Sequence, residues 1–148
     1  MKKMFTAIVL ASALSAASAA DLTVLYNRDV SNNVNGAGFS LGTKLTKDLT
    51  LSGNLDRYSR GTDVDSYGVS MSYEVFKLGK LSVSGGLGMN WINVERGKDG
   101  LAGSVHAGVA LPITKSLSIV TEATRLMPET KIKSQEATIV SVGLRTTF

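Results

Sequence analysis

The chain has 148 residues with no cysteine, 2 prolines, 15 glycines, 43% hydrophobic and 19% charged side chains, and a formal charge of +4. Without cysteine there is no disulfide framework, no thiolate metal site and no thiol nucleophile. The single histidine, His106, leaves little room for His-rich metal chemistry, so no metal or cofactor is expected. Two of the positive charges, Lys2 and Lys3, fall in a segment expected to be removed. The remaining excess of about +2 is too weak and too scattered to argue for nucleic acid.

Residues 1–19 read as a secretory signal peptide: Lys2 and Lys3 form the basic region, Met4 to Leu14 an apolar stretch, and Ala17-Ser18-Ala19 a small-residue cleavage site. Cleavage after Ala19 or Ala20 leaves one domain, 20–148. That domain contains no apolar run approaching the ~18 residues of a transmembrane helix. Its apolar residues alternate instead with period two.

A first strand around Leu22 to Arg28 alternates imperfectly, because Leu25 interrupts the polar face. From Ala37 the pattern is clean, with Phe39, Leu41 and Leu45 on one face and Gly38, Ser40, Gly42 and Lys44 on the other. After a tight turn near residue 47, Leu49, Leu51 and Leu55 oppose Thr50, Ser52, Asn54 and Asp56. Beyond a polar loop at 59–65, Tyr67, Val69, Met71, Tyr73 and Val75 oppose Gly68, Ser70, Ser72 and Glu74. A turn at 77–80 leads to Leu81 through Trp91, and a loop at 95–100 leads to Leu101 through Leu111. The seventh strand, Leu117 to Arg125, carries Val120 on its polar face; the eighth ends in Val140, Val142, Leu144, Thr146 and Phe148 against Ser141, Gly143, Arg145 and Thr147.

Eight strands of about ten residues, joined alternately by tight turns and longer polar loops, predict an all-β, antiparallel up-and-down transmembrane barrel. A soluble barrel shares the alternation but shows its polar face to water. Here the polar face is Gly, Ser, Thr and Ala, which suits the narrow interior of eight strands, while the charges gather in loops and turns. The apolar face is therefore expected in lipid. Its aromatics, Tyr26, Phe39, Tyr67 and Trp91 toward the long loops and Tyr73 and Phe148 toward the short turns, are expected to anchor it at the two interfaces.

The ending Ser141-Val142-Gly143-Leu144-Arg145-Thr146-Thr147-Phe148 resembles the C-terminal β-signal of bacterial outer-membrane proteins. Ser141, Gly143 and Phe148 match it, and Thr146 stands where a bulky residue is usual. With the leader and the strand count, the whole chain resembles the small eight-stranded outer-membrane barrels of the OmpX, opacity-protein and OmpA-transmembrane type. That resemblance implies insertion into the outer membrane of a Gram-negative bacterium by the barrel assembly machinery.

Parity sends Lys44, Asp56, Glu74, His106, Glu122 and Arg145 into the lumen. Charges enclosed there need partners, and the short-turn position of Lys44, Glu74 and Arg145 makes ion pairs among them the expectation. A polar relay is the other reading of this set. Small barrels of similar type include lipid A acyltransferases and deacylases, which use a rim His with Ser and Asp or Glu. Ser104 lies two residues from His106 on one face, but the surrounding sequence lacks the deacylase's His-x-Ser arrangement, and His106 falls in the lumen. Arg57, Arg60, Arg96, Lys98, Arg125, Lys131 and Lys133 gather near the long loops. They suit lipopolysaccharide phosphates, or ordinary solvated charge beside Asp63, Asp65, Glu95, Asp99, Glu129 and Glu136. The expectation is a monomeric, non-catalytic outer-membrane barrel with a plugged lumen, in contact with lipid and lipopolysaccharide, serving envelope integrity or surface attachment through its loops. A lipid A-modifying enzyme and a narrow pore are its rivals.

Overall fold

The computed structural model describes residues 20–59, 63–95 and 97–148; the leader at 1–19, Arg60 and Arg96 lie outside the described residues. Eight strands follow in order: β1 (Ala20–Asp29), β2 (Val34–Lys44), β3 (Leu49–Ser59), β4 (Asp63–Leu78), β5 (Leu81–Val94), β6 (Gly100–Pro112), β7 (Leu117–Pro128) and β8 (Ala137–Thr147). A 3-10 helix, Thr130–Gln135, lies between the last two. Each strand pairs antiparallel with the next, and β1 pairs with β8 to close a barrel.

Two of the short turns are chemically alike. In Leu45-Thr46-Lys47-Asp48 the Thr46 hydroxyl accepts the Leu49 N–H at 3.1 Å, and in Ile113-Thr114-Lys115-Ser116 the Thr114 hydroxyl accepts the Leu117 N–H at 3.0 Å. The side chain thus supplies a local acceptor that fixes the reversal. The third turn is tighter than the alternation suggested. β4 extends to Leu78, and two residues, Gly79 and Lys80, make the reversal, with Gly79 at φ +62°. A bulge between Glu74 and Phe76 shifts the register, so that Lys77 rather than Phe76 shares the side of Glu74.

Across the middle of the barrel the faces are as the alternation implied. Leu87 is 66% exposed on the outside, and its neighbours Gly86 and Gly88 lie against inward-pointing His106 and Ser104. Leu25 and Val120, which broke the pattern, point inward and line an interior cavity.

Toward the long loops the alternation continues with its polarity reversed. Tyr58, Val64, Ile92, Ala102, Leu126, Ala137 and Ile139 point inward and are buried, whereas Arg57, Asp65 and Arg125 occupy the intervening outer positions. Arg57 pairs with Asp63 at 2.5 Å and with Asp65 at 3.5 Å across the β3–β4 hairpin. This end is therefore built like a water-soluble barrel, apolar inside and charged outside. The reversal hides the strand ends from a pattern search. It also corrects the loop bounds: the loops expected at 59–65 and 95–100 are residues 60–62 and 95–99, the first connection is 30–33, and only the fourth is long enough to hold the 3-10 helix.

Candidate functional site: the polar lumen and its apolar cap

The lumen holds two polar cavities of about 90 and 100 Å³. The first lies in mid-barrel and is bounded toward the long loops by Tyr58, Leu126 and Ile139. The second reaches the short turns at Lys47 and Asp48. Thr23, Ser40, Ser52, Ser72, Glu122 and Arg145 line both, so the two are continuous in their walls. Hydroxyl-lined spaces of this size hold water.

All six residues read as the lumen network line these cavities: Asp56 and His106 the first, Lys44 and Glu74 the second, Glu122 and Arg145 both. The expected ion pairs among Lys44, Glu74 and Arg145 do not form. Glu74 is instead bound by Lys77 at 3.0 Å and by the Ser82 hydroxyl; the bulge beside Glu74 is what brings Lys77 within reach. Arg145 donates from Nε to the Thr23 hydroxyl at 3.3 Å. Asp56 accepts from Asn27 Nδ2 at 2.7 Å, and Glu122 from the Thr124 hydroxyl at 2.8 Å. Apart from Lys77 on Glu74, neutral hydroxyls and an amide hold these charges, beside cavities with space for water.

His106 Nε2 lies 2.7 Å from the Ser72 hydroxyl, reached along the wall over Gly86 of β5, and not on Ser104, whose hydroxyl accepts from Asn90 Nδ2 at 3.1 Å. Gly86 makes room for the ring, since a Cβ there would come within 2.4 Å of Nε2. The imidazole is thus embedded in the lumen wall, away from either rim.

Several interior polar groups escaped the sequence reading because they carry no charge or lie at strand ends. Asn27 is 1% exposed, donates to Asp56 and, at 3.3 Å, to the Tyr58 hydroxyl, and leaves its own Oδ1 without a partner. Asp29 is fully buried and organises the first loop by accepting the N–H groups of Ser31 and Asn32 at 3.0 and 3.1 Å. Asp21 accepts from the Thr147 hydroxyl at 2.5 Å. The parity that puts Leu25 on the polar face also puts Asn27 there, and extended past Arg28 it reaches Asp29.

Above the cavities the apolar side chains form one cluster, and Ile132 of the 3-10 helix belongs to it at 2% exposure. Ile132 departs from helical geometry, with φ −126° and ψ 28°. The segment is fastened beside it. Glu129 accepts the Leu101 N–H at 2.7 Å and pairs with Lys131 at 3.1 Å, while Lys131 stands 6.0 Å over the Trp91 ring. The Leu101 N–H and the Lys131 ammonium hold the Glu129 carboxyl below the usual carboxylate range. At the other end Asn32 Nδ2 donates to the Glu136 carbonyl at 3.3 Å, and Arg125 pairs with the Glu136 carboxylate.

The aromatics named from the pattern lie on the outer face: Tyr26, Phe39, Tyr73 and Phe148 are exposed, and Tyr67 and Trp91 are cross-strand partners. Phe76, unassigned by the alternation, joins them after the bulge. Of the terminal motif, Ser141 is buried inward, and Phe148 is 74% exposed while its N–H donates to the Ala20 carbonyl at 2.9 Å. Gly143 has no room for a side chain, since a Cβ would lie 1.9 Å from the Val24 carbonyl oxygen across the closing β1–β8 seam.

The architecture is that of small outer-membrane barrels. The N-terminal barrel domain of Pseudomonas aeruginosa OprF superposes with a TM-score of 0.68 at 17% identity, over 89% of this chain and 98% of that one. Neisserial surface protein A gives 0.61 at 17% identity, covering 88% and 95%. Ail of Yersinia pestis, in a phospholipid bilayer nanodisc, gives 0.61 at 12% identity, covering 88% and 99%. No curated protein sequence matches the chain. A family model described as "YfaZ precursor" spans residues 1–136, a description that fits the leader read at its start, and by that match the chain belongs to the YfaZ precursor family.

Proposed function

We propose that this protein is a monomeric, non-catalytic barrel of the Gram-negative outer membrane whose lumen is plugged on the outer side and whose role is envelope integrity. In this orientation the short turns face the periplasm and the longer connections face out. The observation that carries the reading is the apolar layer of Tyr58, Val64, Ile92, Leu126 and Ile139, completed by Ile132, lying across the lumen above its polar cavities. Such a layer excludes water where the cavities below admit it.

Surface attachment has less support, because three of the four longer connections have only three to five residues and the fourth turns Ile132 inward. The enzymatic rival has less support too: His106 is bound to Ser72 inside the lumen, out of reach of a lipid headgroup. Lipopolysaccharide contact would fall to rim cations such as Arg28, which is held by the side-chain oxygens of Asn33 and Asn35 and not by a carboxylate. Insertion would use the assembly machinery that reads the terminal strand.

The test combines three measurements. The chain should fractionate with the outer membrane and migrate differently with and without boiling. Purified protein should be silent in planar bilayers. Loss of the gene should sensitise cells to detergents and bulky apolar antibiotics, whereas His106→Ala should leave lipid A unchanged. Steady conductance of the unaltered protein would overturn the plug, and an altered lipid A profile would overturn the non-catalytic reading.

A further inference from the structure

The plug is not part of the barrel wall alone. Strands contribute most of the apolar layer, but Ile132 comes from the 3-10 helix Thr130–Gln135, which sits in the connection between β7 and β8. The side chain enters the lumen mouth next to Gly100, where a Cβ would come within 2.9 Å of Ile132 Cδ1 and Cγ1. The segment holding it is fastened by exposed contacts that include Glu129 to the Leu101 N–H, Lys131 to Glu129, Asn32 to the Glu136 carbonyl and Arg125 to the Glu136 carboxylate. Contacts of that kind open at low free-energy cost. Beneath the layer, walls that are mainly polar, with Leu25 and Val120 among them, run from mid-barrel to the short turns through Ser66, Ser104, Thr23, Ser52 and Arg145.

We infer that the 3-10 helix is a gate, with Ile132 as its stopper, on a narrow lumen path for water and small monovalent ions. The inference rests on the plugged reading and goes beyond it: the resting state is closed, and displacement of one short segment opens it. Two cavities of about 90 and 100 Å³ suit a file of waters or a partly dehydrated ion and exclude sugars and peptides. Glu122 and Arg145 line both cavities, with Asp56 on the first and Lys44 and Glu74 on the second, so charges of both signs stand along the path. A strong preference for anions or cations is therefore not expected.

The test is ion flux from proteoliposomes containing the full barrel, with correct folding checked by its heat-modified gel mobility. Ile132→Gly should raise flux at least tenfold over the unaltered protein, and Ile132→Leu should remain closed. Glu129→Gln, which loosens the fastening without touching the lumen, should give a smaller rise and serves if the glycine variant fails to fold. Because the chain has no cysteine, Ser66→Cys places a single thiol in the wall just below the layer, where Ag⁺ binding should block the flux of either opening variant. A folded Ile132→Gly and a folded Glu129→Gln that both leak no faster than the unaltered protein would overturn the gate. So would increased flux that Ag⁺ at Cys-substituted position 66 does not reduce, since ions would then bypass the lumen. Flux through the unaltered protein would instead refute the plug itself.

Discussion

Ile132 occupies the space that Gly100 leaves by having no side chain: a methyl group on Gly100 would meet both Ile132 Cδ1 and Cγ1 at 2.9 Å and Glu129 Oε1 at 2.6 Å. One position at the start of β6 therefore controls the stopper and its fastening together. Gly100→Ala should displace the 3-10 helix and cost about 1–2 kcal/mol through overpacking, as read from urea unfolding in detergent micelles. Its effect should add only in part to that of Ile132→Gly, because the glycine variant removes the two colliding Ile132 atoms and leaves Glu129 Oε1. Full additivity of the two substitutions would separate Gly100 from the stopper.

Acid should loosen the same fastening. Glu129 is held below the ordinary carboxylate range by the Leu101 N–H and by Lys131. A group whose folded pKa is depressed contributes stability above its unfolded value and loses it as pH falls through the folded one. Order in the 3-10 segment, followed by amide hydrogen exchange at Leu101, should therefore decline only below the usual carboxylate range. Glu129→Gln should abolish that dependence; an unchanged pH profile in the variant would assign it elsewhere.

The lipid-facing surface can be tested by depth. Leu87 and Leu78 are 66% and 72% exposed, but Leu87 lies in mid-strand and Leu78 ends β4 at a turn. Arginine at Leu87 should cost about 2–4 kcal/mol in vesicles and arginine at Leu78 no more than about 1. Equal costs would mean that the apolar face does not sit in a bilayer.

Among the described residues Arg145 makes a single side-chain hydrogen bond, to Thr23, and no ion pair. Arg145→Leu should consequently cost only about 1.5–3 kcal/mol, the scale of one hydrogen bond to a charged group. Removing one partner of a buried ion pair would cost about 3–5 kcal/mol. A loss in that upper range during urea unfolding would show that a carboxylate had been left unpaired.

The strand count and the facing of each strand were legible because lipid outside and small polar residues inside impose one sign of alternation through every mid-strand. Legibility stopped where the chain leaves that environment. At Arg57-Tyr58 and Arg125-Leu126 the same period continues with charge outward and the apolar side chain inward, so the strand ends read as loops and the inward apolar cluster went unseen. Parity also assigned Lys44, Glu74 and Arg145 to the interior without giving their separations. The partner that Glu74 takes, Lys77, depends on a one-residue bulge that leaves no mark in the alternation. His106 lines the lumen, and its ring reaches along the wall over Gly86 of β5 to Ser72 of β4, a relation between three strands that no local spacing encodes.

The terminal motif separates packing from recognition. Gly143 lies against the seam, where an added Cβ would be 1.9 Å from the Val24 carbonyl oxygen, a backbone atom that cannot swing aside. Gly143→Ala should strain barrel closure, cost about 1–3 kcal/mol, and lower the yield of folded protein in cells and in micelles alike. Phe148 differs: its ring is 74% exposed, and its backbone N–H to the Ala20 carbonyl is its one inter-strand tie. Deleting it removes an interfacial aromatic and a terminal hydrogen bond, about 1–2 kcal/mol together, too little to unfold a closed eight-stranded barrel. If the assembly machinery reads this residue, the deletion should depress outer-membrane yield in cells several-fold while refolding into micelles stays near that of the unaltered chain. Comparable losses in both settings would make Phe148 a packing residue like Gly143, and undiminished yield in both would remove it from the assembly signal.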